Sequence, residues 1–182
     1  MIIVAAFVVV AALVPLLGGD FRRLAQVQLR GVSWLFIALA VQIVIIEVLP
    51  DLPGSSALHL STYALAFAFL FANRRLPGLW LVFAGAAGNL AAIVANGGVM
   101  PANERALEIA GKAGPTEHFA NSAAVAHPHL QFLGDVFAIP ARFPLANVFS
   151  VGDVLLVIGG ALMVHRLCGS HLRQEPRSLI LT

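Results

Sequence analysis

Apolar residues along this chain come in long unbroken runs instead of alternating with polar ones. Five runs, roughly residues 2–17, 32–49, 58–72, 79–95 and 148–166, reach or approach the ~20 residues that a helix needs to cross a bilayer. Each stops at residues that end helices. Gly18-Gly19 follows the first and Pro50 with the turn Asp51-Leu52-Pro53-Gly54 the second. Asn73-Arg74-Arg75 follows the third and Asn96-Gly97-Gly98 the fourth, and the fifth ends at His165-Arg166. The pattern predicts an all-α membrane protein with five transmembrane helices, forming one membrane domain over residues 1–182.

About fifty residues, 97–147, separate the last two runs, too many for a featureless connection. Within this outer loop, Asn103 is placed to cap a short helix that runs to Ala110 and closes at Gly111. Residues 130–139 read as two β-type runs around a Gly134-Asp135 turn, a β-hairpin-like cap, and Pro140, Phe143 and Pro144 lead back to the membrane. The Phe, Leu and Ile content of the loop predicts that it lies over the helices.

Composition agrees with the runs: 59% of residues are hydrophobic and 11% charged, too few charges to cover the surface of a water-soluble domain of 182 residues. Charge then supplies an orientation. Arg22, Arg23, Arg30, Arg74, Arg75, Arg166, Arg173 and Arg177 fall on one side of the predicted spans, and Arg105, Lys112 and Arg142 on the other. The bias places the N-terminus outside and the C-terminus in the cytoplasm. Basic residues follow the first run instead of preceding it, which predicts an uncleaved helix. The cations are dispersed in short clusters, which argues against nucleic acid as a partner, and no four basic residues are consecutive. The single cysteine, Cys168, excludes an internal disulfide or a CxxC pair. No internal repeat is visible, which leaves a small transporter with little support. Ala84, Gly88, Ala92 and Asn96 recur every four residues, and Gly152, Gly159 and Gly160 offer a comparable surface. Such small-residue faces predict contact between the last two helices, or with a partner membrane protein or a second copy of the chain.

Polar residues at membrane depth are costly, so each is a candidate for function. Glu47, His59, Asn89, Asn96, Asn147 and Asp153 gather towards the outer helix ends, with Gln42 deeper in the second run. Of these, Asn89, Asn96, Asn147, His59 and Glu47 are the candidate ligand-binding residues. Asp135 and Asp153 are the candidate catalytic carboxylates. Each also has a purely structural reading: Ser150-Val151-Gly152-Asp153 has the spacing of a capping box, and Asp135 suits a tight turn. His118, His127 and His129 are too loosely spaced for a metal site, and neither a metal nor a cofactor is expected. No nucleophile elbow, phosphate loop or dinucleotide fingerprint is present.

Asn96-Gly97-Gly98-Val99-Met100-Pro101, Leu133-Gly134-Asp135 and Ser150-Val151-Gly152-Asp153 together resemble the signature of an uncharacterised bacterial family of multi-pass membrane proteins, known only as a domain of unknown function. The likeness spans essentially the whole chain and implies the bacterial inner membrane. The second half is also similar in architecture to lipoprotein signal peptidase, through Gly88-Asn89, Phe143-Pro144, Asn147 and Asp153. That resemblance implies an aspartate pair, yet Ala92 stands where the family places its first aspartate, and Asp153 is displaced from the asparagine it should follow. The expectation is therefore a non-catalytic inner-membrane protein binding a lipid-like ligand or a partner membrane protein under an outer cap. An aspartate-dependent membrane hydrolase using Asp135 and Asp153 is the alternative.

Overall fold

A computed structural model describes residues 2–48, 53–113 and 122–170. Helix α1 (Ile2–Leu16) leads into a 3-10 turn (Phe21–Gln26), capped by the Asp20 carboxylate, which accepts from the Arg22 amide at 2.9 Å. Helix α2 (Val32–Ile43) ends in a π turn (Val44–Val48) and packs on α3 (Ser55–Ala72), where Gln42 Nε2 donates to Thr62 Oγ1 at 2.9 Å. Helix α4 (Leu79–Ala95) is followed by β1 (Met100–Pro101), α5 (Glu104–Ile109), β2 (Ser122–Ala123), a 3-10 turn (Gln131–Leu133), β3 (Asp135–Ile139) and β4 (Asn147–Ser150). The last described element is α6 (Val151–Cys168).

Helix α6 is the hub of the bundle, packing on α4 along one face and on α1 along another. The α4–α6 contact is close because it is glycine against backbone. A Cβ added at Gly85 would lie 2.5 Å from the Gly152 carbonyl oxygen, and one at Gly159 would lie 2.7 Å from the Val82 amide nitrogen. The expected contact between these helices is therefore present, but through Gly85 and Asn89 instead of the Ala84–Gly88–Ala92–Asn96 ridge. A Cβ at Gly88 would meet only Leu133, at 3.9 Å. Ala92 turns the other way, into a cluster with Ile93 and Met100 that Leu60, Tyr63 and Leu133 cover.

Three expectations are corrected. Among the described residues a single helix, α6, is long and apolar enough to cross a membrane, so five transmembrane helices are not supported. The others fall short: α1, α2 and α4 have 15, 12 and 17 residues, and the apolar stretch of α3 is Ala57–Ala72. Gly18 at φ 74° ends the first run, and the π turn interrupts the second. The orientation with the N-terminus outside and the C-terminus cytoplasmic was assigned from the charges on either side of those five spans and falls with them.

The second correction concerns the cap. Residues 131–133 wind into a 3-10 turn behind Leu130, which sits at φ 52°, so they do not pair with β3. Strand β3 pairs instead with β4, antiparallel, with Asp135 opposite Ser150 and Ile139 opposite Asn147. Asp135 is thus a buried strand residue and not a turn residue. The third correction follows: residues 147–150 belong to this ladder, and the last helix begins at Val151. The short helix α5 is as expected, with Asn103 Oδ1 accepting from the Ala106 amide at 3.3 Å and Gly111 at φ 68° beyond its end. Ala102, Ala106, Leu107, Ala110 and Val148 form the apolar core of the cap. The Asn103 amide donates to the Asp135 carbonyl at 2.9 Å, tying β1 to β3.

Candidate functional site

The strongest concentration of buried polar chemistry lies where β4 turns into α6 against α4. Ser150 has extended backbone and caps the helix, its Oγ accepting from the Asp153 amide at 3.0 Å. The Asp153 carboxylate returns the bond, Oδ2 accepting from the Ser150 amide at 3.0 Å. This reciprocal arrangement satisfies two amides that a helix start otherwise leaves orphaned, and it sets a negative charge at the positive end of the helix dipole.

Helix α4 closes the arrangement from the side. Asn89 Nδ2 donates to Asp153 Oδ1 at 2.9 Å, and Asn89 Oδ1 accepts from Ser150 Oγ at 2.9 Å. Asn89 and Ser150 are both buried. Gly152 makes room for the amide, since a Cβ there would collide with Asn89 Oδ1. Asn89, Ser150 and Asp153 thus form a closed triangle in which both Asn89 side-chain groups and both Asp153 oxygens have partners, as buried polar groups require.

Asp135 stands beside this triangle, across the ladder from Ser150. It is only 4% exposed, and its Oδ2 accepts from Ser122 Oγ at 2.6 Å. Burial lifts its pKa from 3.8 to about 6, against the opposing hydrogen bond from Ser122; the Asp153 charge adds to the rise and the Lys112 charge counters it. The two candidate carboxylates are therefore within electrostatic reach of each other.

The remaining candidates are dispersed. Asn96 clasps the outer loop, its Nδ2 donating to the His129 carbonyl at 2.8 Å and its Oδ1 accepting from the His129 amide at 2.9 Å. Asn147 lies at the far end of the β3–β4 ladder, where its Oδ1 accepts from Lys112 Nζ at 2.7 Å. His59 is buried on α3 with its ring edge-on to Tyr63, centroids 5.6 Å apart. Glu47 belongs to the π turn, and its side chain lies outside the described residues, as does all of His118. Ser122 escaped the sequence reading because an isolated serine in a polar loop carries no signal; only the β1–β2 pairing brings it to Asp135.

Residues 26–165 match the model of a family of unknown function, DUF5317. The chain belongs to that family. It is also 26% identical, over 150 residues, to an uncharacterised protein of Thermotoga maritima, covering 82% of this chain and 83% of the other. No solved structure matches it. The matched stretch of this DUF5317 member contains the whole Asn89–Ser150–Asp153 triangle, Asp135 and Ser122.

An apolar groove opens beside the triangle, between the start of α1, the β3–β4 hairpin and the first two turns of α6. It has a volume of about 210 Å³ and is lined by Ile3, Ala6, Ile139, Phe149, Val154, Val157 and Ile158. Among the described residues Asp153 is the one polar residue on its wall, and it turns no polar surface into the groove.

Proposed function

We propose that this DUF5317 protein is embedded in a bacterial inner membrane and binds a lipid-like ligand beside its cap, with an apolar chain in the groove. The groove itself carries this reading. Its wall offers water no polar partner among the described residues, and an apolar space of that kind takes apolar guests. Asp153 turns no polar surface into the groove, because its two carboxylate oxygens are directed at Asn89 and Ser150.

Membrane residence is supported by the outward faces of the helices. Val4 is 65% exposed, Leu16 78%, Phe36 66% and Trp80 70%, so large apolar side chains stand uncovered on three different helices. A protein surrounded by water rarely exposes apolar surface on this scale. An aspartate-dependent hydrolase, the chemistry implied by the likeness to lipoprotein signal peptidase, fits less well, because both Asp153 oxygens already have structural duties.

The test is photocrosslinking with a phospholipid carrying a diazirine in its acyl chain. Crosslinked peptides should come from α1 and α6, and Val157→Trp, which fills the groove from α6, should remove most of them without unfolding the protein. Labelling that is unchanged by Val157→Trp, or confined to other helices, would refute the assignment.

A further inference from the structure

At the opposite end of the bundle, a second cavity of about 300 Å³ is lined by Gln28, Arg30, Asn73, Arg74 and Arg75, with Ala72 and Leu76. Its three arginines come from two separate stretches of chain. The link between them is a clasp: Asn73 Oδ1 accepts from the Arg30 amide at 2.9 Å, and Asn73 Nδ2 donates to the Arg30 carbonyl at 2.8 Å, across 43 residues of sequence. Asn73 is itself buried and also donates to the Phe69 carbonyl at 2.8 Å, so the clasp is fixed to the end of α3. Arg74 is further held over the Phe71 ring, 4.4 Å from its centroid, with Nη1 donating to the Phe71 carbonyl at 3.1 Å.

Among the described residues no carboxylate lines this cavity. Three guanidinium groups around one concavity, with no acidic partner among the described residues, repel one another, and an anion relieves that repulsion while its oxygens meet the unused N–H donors. We propose that Arg30, Arg74 and Arg75, brought together by the Asn73–Arg30 clasp, form a binding site for a phosphate group such as that of an anionic lipid head. The phosphate oxygens accept from the guanidinium N–H groups, and Gln28 supplies one further amide donor. The site lies apart from the groove at Asp153 and does not depend on what occupies that groove. A scan for consecutive basic residues misses it, because Arg30 joins Arg74 and Arg75 only through the fold.

The experiment is a binding titration of the detergent-solubilised full chain, followed by thermal shift and native mass spectrometry, with four probes: phosphatidylglycerol, phosphatidylcholine, glycerol 3-phosphate and inorganic phosphate. Phosphatidylglycerol should bind and raise the melting temperature, while net-neutral phosphatidylcholine should do so far less. Each of Arg30→Gln, Arg74→Gln and Arg75→Gln should weaken binding roughly fivefold, and the triple variant on the order of 100-fold. Raising salt from 0.1 M to 1 M should weaken wild-type binding, because the screening length falls from ~10 Å to ~3 Å. A response to phosphatidylglycerol alone identifies a lipid head as the source, and an equal response to the two soluble phosphates identifies a free phosphate ligand; both uphold the site. The substituted side chains are exposed and Arg30 joins the clasp through its backbone, so the triple variant should lose only the exposed Arg74–Phe71 contacts and melt within a few degrees of wild type without ligand. Wild-type and triple-variant proteins that bind phosphatidylglycerol and inorganic phosphate equally well, or equally poorly, would overturn the proposal.

Discussion

Replacing Asp135 by asparagine removes one titrating proton from the cap while leaving the shape of the side chain almost intact. The Asn oxygen can still accept from Ser122 Oγ, and the amide can stand where the carboxyl hydroxyl stood. In the folded protein this carboxyl titrates at about 6, against 3.8 ordinarily, so the native state holds its proton more tightly than the unfolded chain does. Between about pH 4 and pH 6 the folded form therefore binds more protons, and stability falls as pH rises through that window. At ~1.4 kcal/mol per unit, the whole window costs the wild type about 3 kcal/mol. Asp135→Asn should be nearly level with wild type at pH 4 and ahead of it by about 3 kcal/mol at pH 8, roughly 6–12 °C in melting temperature for a chain of this size. The assay is a melting series from pH 4 to pH 8 in one detergent, read by tryptophan fluorescence. A difference between the two proteins that stays constant with pH would refute the reasoning, and so would a wild type that gains stability relative to the variant between pH 4 and pH 6.

Gly85→Leu should strongly destabilise the solubilised protein, by several kcal/mol, because the new side chain meets the backbone of α6 at Gly152, whereas Gly88→Leu should cost much less; equal melting temperatures for the two variants would rule out the α4–α6 contact described. Ser150→Ala and Asp153→Asn should each cost on the order of 1 kcal/mol, and the double variant less than their sum, since both act on one helix terminus. Strict additivity in that melting comparison would mean the reciprocal cap is not formed.

The local features of this fold were legible and the long-range ones were not. The Ser150–Asp153 cap and the Asn103 cap could be read because each lies within four residues of sequence, where spacing alone dictates geometry. Four of the six helices begin and end within a few residues of where the apolar runs and their stops put them. Strand β4 was hidden because Val148 and Phe149 continue the apolar pattern of α6, so nothing in composition separates strand from helix there. The wrong glycine face has a similar cause: Gly85 and Gly88 are both small, and only the partner helix decides which of them is approached. Asn89 was singled out for its cost at depth, but its partners lie 61 and 64 residues away and no pattern announces them.

Ser150 explains why the cap and the bundle cannot be treated as separate bodies. Its backbone belongs to the β3–β4 ladder opposite Asp135, its side chain caps α6, and its hydroxyl donates to Asn89 on α4. A displacement of the hairpin would therefore break the helix cap and expose the Asn89 oxygen to an apolar surrounding, where an unpaired polar group costs about 1–3 kcal/mol. The same hairpin supplies Ile139 and Phe149 to the wall of the groove, directly beside Asp153. An apolar chain entering the groove would thus leave the bonds of Asp153 to Asn89 and Ser150 in place, without asking the hairpin to move. On the proposed function the guest meets a preformed slot, one wall of which is tied to α4 and α6 through Ser150.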